Sequence, residues 1–339
     1  MRLTVSAICL LLVSSILVFP AQTENNDFYD NNPFVKLEGC DIEVVGEIVK
    51  SGTVNLKELP LRSINVSEAV LAEDGQTFVG SYTYRGYSLF DIIKERFVDK
   101  KNEKEFGSII DLMVSVENKS GEKVVLSWGE IYYPTVLHRI LVATEAARII
   151  PSKTKEMWPL PKKVKLVCGN DLFANRNIDM PAKITVFSVP MSFKVNRNLS
   201  PLYSEGIAVF KGGKKVGTID RLDENIQRRV FPSVFYGRGK GFHGIKYFKG
   251  AMMRDVLAKY VNVDDDTLKS MYLAVAAADG YRIAISVGEL FNRNDQAEFL
   301  LVDTGKGKNG GRFKIFPAPD FFSDRAVKAI SSIHFLTIE

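Results

Sequence analysis

The clearest structural pattern in the sequence is the stretch Asp279-Gly280-Tyr281-Arg282-Ile283-Ala284-Ile285-Ser286-Val287-Gly288-Glu289-Leu290. An apolar run at 272–277 leads into the Asp-Gly pair, and an alternating run follows it. Because Asp and Gly tolerate the backbone conformations of tight turns, this pattern predicts a β-hairpin. The same pattern occurs earlier, with an apolar run at 113–116, a Ser-Gly pair at 120–121 and a strand ending in Trp-Gly-Glu-Ile at 128–131. The chain is therefore interpreted as two copies of one module.

Further matches follow in the same order in both halves. Each half has a Gly-Thr pair (52–53 and 217–218) and a segment that predicts the start of an amphipathic helix (84–93 and 248–257). Each half closes with an arginine, Arg176 and Arg325, which we interpret as members of structural ion pairs. Glu130 and Glu289 also recur, but sequence alone does not pair them. The predicted domains are module one, 37–190, and module two, 205–339, joined by a linker at 191–204.

The first 22 residues have the composition of a targeting segment. Arg2 precedes an apolar run, Leu3 to Phe19, and Pro20 and Ala21 end it. This order predicts a signal peptide or an uncleaved N-terminal anchor, followed by a flexible tail at 23–36. We therefore expect an exported protein, periplasmic or extracellular, whose only membrane contact would be through an uncleaved N-terminal segment.

Composition narrows the class of partner. The 339 residues include 45 basic and 40 acidic side chains with no long basic run, which argues against a nucleic-acid-binding protein. Three widely spaced histidines, His138, His243 and His334, lack the spacing of metal ligands. In an oxidising compartment Cys40 and Cys168 predict either a disulfide or two isolated buried thiols, and the sequence leaves both readings open.

The ordered set of Gly-preceded strand, helix start at 84–93 or 248–257, Asp-Gly-Tyr hairpin and closing Arg segment resembles the molybdopterin-binding domain of the sulfite oxidase family. The resemblance covers roughly 40–190 and 205–339, once each, and implies an α+β fold of two tandem modules, each a mixed sheet plus helices. Catalytic members ligate molybdenum through a cysteine that precedes the helix. Here no cysteine lies between 41 and 86 or between 205 and 250. The resemblance therefore leaves molybdopterin open as a cofactor but does not support molybdenum ligation by cysteine.

A glycine-rich loop in module two is the candidate binding site. Its glycines let backbone N–H groups approach an anion, and its basic side chains supply charge. The candidate residues are Arg238, Gly239, Lys240, Gly241, His243 and Lys246. A solvated loop without a ligand is the competing interpretation. Module one has no equivalent loop, so a ligand site is expected in module two.

These observations favour a non-catalytic binding or accessory protein, in which module two binds a small anionic or pterin-like ligand. Two alternatives stay open. One is a periplasmic molybdopterin-dependent oxidoreductase that holds its cofactor without a cysteine ligand. The other is a structural protein whose modules bind a protein partner.

Overall fold

The computed structural model describes residues 29–31, 33–39, 41–239, 241–305 and 310–338. Strands make up 47% of the protein and helices 13%, so the α+β prediction is wrong. In the described chain, four small sheets form a ring like that of a β-propeller. The physical reason is that the predicted helices at 84–93 and 248–257 are single turns of five or six residues, and the long strands Gly75–Ser88 and Gly241–Met252 lead into them and include the first part of each predicted segment.

Apart from the strands Tyr29–Asn31 and Val35–Lys36 and the helix Asp265–Ser270, the strands and helices follow one another in the same order in both halves. The first half contains β1 Tyr29–Asn31, β2 Val35–Lys36, β3 Glu43–Gly46, β4 Gly52–Thr53, β5 Arg62–Ala72, β6 Gly75–Ser88, α1 Leu89–Lys94, β7 Leu112–Asn118, β8 Lys123–Ser127, α2 Trp128–Tyr132, β9 Ile140–Pro151, β10 Lys165–Cys168 and β11 Pro181–Ser188. The second contains β12 Ile207–Lys211, β13 Lys214–Ile219, β14 Arg228–Gly237, β15 Gly241–Met252, α3 Met253–Leu257, α4 Asp265–Ser270, β16 Met271–Ala277, β17 Arg282–Ser286, α5 Val287–Phe291, β18 Phe299–Asp303, β19 Phe313–Pro317 and β20 Ile330–Thr337.

The sheets repeat as well. One sheet of module one has the order β4-β3-β11-β7-β8, and its counterpart in module two has the order β13-β12-β20-β16-β17. The other sheet runs β5-β6-β9-β10 in module one and β14-β15-β18-β19 in module two. In module one, β1 and β2 also pair with β9. The β16–β17 hairpin predicted from the Asp-Gly pair is confirmed, with Val275 opposite Ile283.

Short helices end several of the strands because capping residues stand at the junctions. The Ser88 hydroxyl accepts a hydrogen bond from the Asp91 N–H and begins α1, as its position before an apolar run indicates. Ser127 and Glu130 form a capping box at α2. These helices cover the ends of the sheets, and one continuous apolar core extends through both modules. In the part of the chain that the structure describes, no helix is long and apolar enough to cross a membrane.

Candidate functional site

The two modules meet in a buried ionic cluster. Arg176 is 2% exposed and makes a bidentate ion pair with Asp171, with N–O distances of 2.8 and 2.6 Å. The same guanidinium donates to Glu130 of its own module at 3.1 Å and to the Ser286 hydroxyl of the other module at 3.0 Å. Ser286 in turn donates to Glu130 Oε1 at 2.7 Å. A side chain of module one therefore contacts the serine that caps a helix of module two.

The same contacts occur in the opposite direction. Arg325 is fully buried and pairs with Asp320 at 2.6 Å and with Glu289 at 2.7 Å. Ser127 of module one donates to Glu289 Oε2 at 2.6 Å. The backbone follows this symmetry, since Leu172 N–H donates to the Asn292 carbonyl and Phe321 N–H to the Tyr133 carbonyl, both at 2.7 Å. The modules are thus related by a pseudo-twofold axis.

Two glycines make room for these arginines. A Cβ at Gly288 would lie 2.3 Å from Arg176 Nε, and one at Gly129 would lie 2.2 Å from Arg325 Nη1. The recurrence of Gly129 and Gly288 in the two hairpin segments therefore has a steric cause. Burial raises the pKa of Glu130, with Arg176 opposing that shift. The interpretation of both arginines as members of structural ion pairs is confirmed, and the geometry brings Glu130 and Glu289 into one cluster.

Among the described residues, Cys168 does not fit molybdenum ligation. It is 2% exposed within the apolar core, and burial raises the pKa of its thiol, which disfavours the thiolate form that binds metal ions. Among the described residues, no group of three or more His, Cys, Asp or Glu side chains is arranged to hold a metal ion. Cys40 lies outside the described residues, so a Cys40–Cys168 disulfide stays a prediction.

A serine, a histidine and an aspartate meet at the start of α1, a contact that the sequence did not predict. Ser88 Oγ lies 3.0 Å from His138 Nδ1 and donates to Asp91 Oδ2 at 2.8 Å. His138 Nδ1 is also 3.5 Å from Asp91. In a catalytic triad the two ring nitrogens contact different partners, whereas here one nitrogen faces both. Because Ser88 is also fully buried and caps α1, this arrangement is a capping network rather than a nucleophile.

The pKa values of His138 and Asp91 are both lowered, which fits this role. Burial lowers the pKa of His138, and the positive charge of Arg62 lowers it further. Burial acts to raise the pKa of Asp91, but hydrogen bonds from Arg62 and Ser88 outweigh that effect and hold it below its usual value. The lowered pKa values favour a neutral imidazole and an ionised carboxylate, and both groups serve here as hydrogen-bond partners of Ser88.

A cleft of module two has a volume of about 1030 Å³ and is lined by residues 218–226, part of α3, Asp303 and Arg312. Five acidic and three basic side chains line it, and Arg312 already pairs with Asp303 at 3.1 Å. Charges of both signs therefore face the cleft, and they do not single out one ligand class.

The predicted loop residues lie at the tip of the β14–β15 hairpin, which we call the module-two ribbon (Arg228–Met252). Arg238 reaches back to Asp324 with an N–O distance of 3.5 Å, and the His243 ring packs against Phe235. Gly241 has a φ of +71°, as the turn requires. Gly239 has no atom within 4 Å of an added Cβ, and Lys246 is exposed on β15. Lys240 lies outside the described residues.

The structure thus separates the predicted site residues. Arg238 and His243 face the rest of the module, while Lys246 lies beyond the turn, opposite Ser233 on the neighbouring strand. None of the best-formed cavities in the described chain includes these residues. A small anionic ligand at this loop therefore stays a prediction.

The outward side of the module-two ribbon is apolar, and we call it the apolar face. Its cross-strand partners include Val234 opposite Ile245 and Tyr236 opposite Phe242. The exposed fractions of its side chains are Val230 52%, Val234 65%, Tyr236 38%, Phe242 63%, Ile245 63% and Tyr247 73%. Residues 228–252 contain six Lys or Arg and no Asp or Glu. This exposed surface is therefore both apolar and basic.

The equivalent hairpin of module one, the module-one ribbon (Arg62–Ser88), has a polar outward side. There Ser67 lies opposite Ser81 and Asn65 opposite Thr83. Both pairs are hydrogen-bonded across the strands at 2.8 Å. Gly86 and Gly250 hold equivalent positions in the two ribbons. Counted from them, Ser67 and Ser81 correspond to Val234 and Ile245, and Asn65 and Thr83 correspond to Pro232 and Tyr247. One face of one repeated element has thus changed from hydroxyl and amide groups to exposed apolar groups.

Sequence reasoning found the tip of the module-two ribbon but missed its face. The signal was weak, since 230–236 and 242–248 are rich in the Val, Ile, Phe and Tyr residues that strands favour but do not alternate regularly between apolar and polar residues. The glycines at the turn drew attention to the loop instead. No protein-family model, curated protein or solved structure matches the chain.

Proposed function

We propose that the chain is an exported, non-catalytic binding protein and that the module-two ribbon is its contact surface. The observation that carries the proposal is the apolar face, on which six large side chains are exposed among basic residues. Contiguous exposed apolar surface is uncommon on a protein without a partner and marks interaction sites. Module one and the ionic cluster act as the support that holds this ribbon.

The inner side of the ribbon supports this division. Phe231, Phe235 and Phe248 pack on the module through Phe316, whose ring stacks on Phe248 with centroids 3.9 Å apart. The ribbon is therefore fixed by one side while the other faces outward. A rigid element that presents aromatic and aliphatic side chains loses little conformational entropy on binding.

Site-specific photo-crosslinking tests the proposal in the native host. A photoreactive phenylalanine analogue replaces Tyr247 on the apolar face or Thr83 at the equivalent position of module one. We expect a discrete adduct from position 247 and none from position 83, with the partner identified by mass spectrometry and its affinity measured after purification.

The substitutions Val234→Ser, Ile245→Ser and Tyr247→Thr copy the module-one face onto module two. We expect this triple variant to lose affinity for the identified partner at least tenfold while its unfolding midpoint is retained. Equal adducts from positions 83 and 247, or full affinity of the triple variant, would contradict the proposal.

The small-ligand and enzyme alternatives have a separate test. Protein purified from its native compartment is analysed for molybdenum and tungsten, and the supernatant after denaturation is analysed for pterin. Stoichiometric metal and pterin would replace the binding proposal by an oxidoreductase. A retained small anion that is lost in Arg238→Ala would favour a ligand site at the tip of the ribbon.

A further inference from the structure

The second strand of the ribbon is β6 in module one and β15 in module two. The edges of these two strands differ in a way that bears on the kind of partner. In module one, β9 pairs with β6 beyond the base of the hairpin, and Arg85, Tyr84, Thr83 and Tyr82 lie opposite residues 145–148. In module two, β18 pairs with β15 only at Ala251 and Met252. Across 29–31, 33–39, 41–239, 241–305 and 310–338, no strand pairs with Lys246–Lys249 on the side away from β14. We call Lys246–Lys249 the open edge.

The chain itself explains why β18 stops. Gly305 has a φ of +74°, and Thr304 N–H donates to the Arg312 carbonyl at 2.8 Å, so the chain turns towards β19 instead of following β15. At the equivalent point of module one the ladder shifts register by one residue, and β9 continues as one strand through Glu145 to Pro151. An unpaired strand edge presents a row of backbone donors and acceptors that another strand can satisfy.

From this comparison we propose that the open edge binds an extended segment of an acidic partner protein, which adds antiparallel to β15 as β9 adds to β6. The inference rests on the proposed function and names the partner's chemistry. The module-one pairing supplies the register, because Arg85 lies opposite Glu145 and forms an ion pair with it at 3.9 Å. Lys249 occupies the Arg85 position and Lys246 the Tyr82 position.

This register defines the segment that fits. A residue at the Glu145 position faces Lys249, and a residue at the Arg148 position faces Lys246. Both therefore favour a carboxylate on the partner, since opposite charges across a strand pair are stabilising and like charges are not. The residue at the Ala147 position faces Tyr247 on the apolar face and favours an apolar side chain. The segment has the form acid-any-apolar-acid.

Two other occupants fit less well. A second copy of the ribbon would place six basic residues against six with no acidic residue between them. A membrane surface could accept the apolar and basic side chains, but lipid offers no complete set of partners for the backbone groups of the open edge. A protein strand satisfies the backbone, the apolar face and the charge together.

The probe is a fluorescein-labelled peptide with the sequence of residues 145–151 of this protein carrying Arg148→Glu, so that carboxylates face both lysines and the peptide begins beyond the positions that β18 occupies. The control peptide carries Glu145→Lys and Arg148→Lys. Binding to the whole protein is followed by fluorescence anisotropy. We expect the acidic peptide to bind at least tenfold more tightly than the basic peptide, and we expect added salt to reduce the difference.

A charge-reversal variant distinguishes a change in binding preference from a loss of folding, because a misfolded protein would not prefer the other peptide. The variant Lys246→Glu/Lys249→Glu is expected to reverse the order, with the basic peptide binding at least tenfold more tightly than the acidic one. A matched control, Lys214→Glu/Lys215→Glu, changes two exposed lysines on β13 and is expected to leave the order unchanged. Hydrogen exchange is expected to slow at Lys246–Lys249 on binding of the acidic peptide.

The outcomes separate this inference from the proposed function. Crosslinks at position 247 without any peptide preference would overturn strand addition and leave the binding-protein proposal standing. If there is neither a crosslink at position 247 nor a peptide preference, the binding-protein proposal and the strand-addition inference are both overturned. Binding to phosphatidylglycerol vesicles with no effect of either peptide, and no slowed exchange at the open edge, would assign the ribbon to a membrane surface and overturn the inference.

Discussion

The two ribbons have the same place in the topology and opposite surfaces. The module-one ribbon buries Tyr82 and Tyr84 inside its module and shows hydroxyl groups to solvent. The segment that follows β9 also covers it, since Trp158 packs edge-on against Phe78 and donates to the Ser81 carbonyl at 2.8 Å. No segment among the described residues covers the module-two ribbon in this way, and its outward side shows apolar groups. The repeated scaffold therefore determines where each hairpin lies, while the residues on the exposed side of the hairpin can differ.

The shared part of the comparison is the ionic cluster, and breaking it has the largest expected effect. Replacing Arg325 by Ala leaves Asp320 and Glu289 buried without their cation, and removing one member of a buried pair costs about 3–5 kcal/mol. Arg176→Ala is expected to cost a similar amount, because its contacts mirror those of Arg325. The free energy of unfolding in urea measures both.

An exposed arginine, Arg221→Ala, is the control for the cluster and is expected to leave stability unchanged. A loss below about 1 kcal/mol for either buried arginine would contradict the assigned role, since that is the range of surface pairs. Strongly unequal losses for Arg325 and Arg176 would show that the two halves of the interface are not equivalent.

The anchoring of the two ribbons provides the next comparison. Glu68, 2% exposed, accepts hydrogen bonds from Tyr84 Oη at 3.1 Å, Lys165 Nζ at 2.8 Å and Asn177 Nδ2 at 2.8 Å. Glu68→Ala leaves these donors unsatisfied and is expected to cost about 2–3 kcal/mol. At the equivalent position of module two, Phe235→Ala removes a half-buried ring and is expected to cost about 1 kcal/mol. Thermal or urea unfolding checks the order, and a larger loss for Phe235→Ala would reverse the comparison.

The apolar face is expected to contribute little to stability. Val234→Ser and Ile245→Ser together give module two the serine pair of module one and should change the free energy of unfolding by about 0.5 kcal/mol or less, because both side chains are exposed. Ala284→Ser, at a fully buried position, is the control that should destabilise. A loss above about 2 kcal/mol for the double variant would mean that the face is part of the core rather than a contact surface.

A weak pH dependence of the free energy of unfolding is expected from His334 in module two. His334 stacks on Phe210 with centroids 4.5 Å apart, and burial lowers the pKa of its imidazole. A pKa below that of the unfolded chain, about 6.5, means that the stabilisation is present above that pH and is lost as pH falls through the folded-state pKa. Module one has Thr185 at the equivalent position.

Unfolding of the wild type and of His334→Phe between pH 7.5 and 5 measures this contribution. Phenylalanine keeps the ring and removes the titration, so the wild type is expected to lose more stability on acidification than the variant does. His138, whose pKa is lowered in the same direction, is present in both proteins and cancels in the difference. Parallel pH profiles would contradict the expected shift.

The sequence predicted the β16–β17 hairpin and the structural role of Arg176 and Arg325. Each of these depends on residues close in sequence or on a repeat that is visible in the chain. The fold class was wrong because an apolar spacing such as Leu89, Ile92 and Ile93 is satisfied by a single helical turn as well as by a long helix. The length of that helix is decided by its packing on the sheets.

The candidate site was predicted in part. Glycines and basic residues marked the tip of the module-two ribbon, but its contact surface depends on which residues of β14 and β15 stand opposite each other. It also depends on where β18 stops, which follows from pairing between segments 50 residues apart in the chain, such as Ala251 with Leu301. Local patterns do not contain that information.

The reciprocal contacts of Arg176 and Arg325 have a consequence for how the asymmetry could arise. They are the contacts of an isologous dimer, in which one surface meets its own copy. In such a dimer every substitution is made twice, so an apolar face on one ribbon would appear on both subunits and multiply the exposed adhesive surface. Joining the two copies in one chain removes that constraint. One ribbon can stay polar while the other gains an apolar face. The covalent tandem thus permits an asymmetric surface on a scaffold whose two halves are otherwise equivalent.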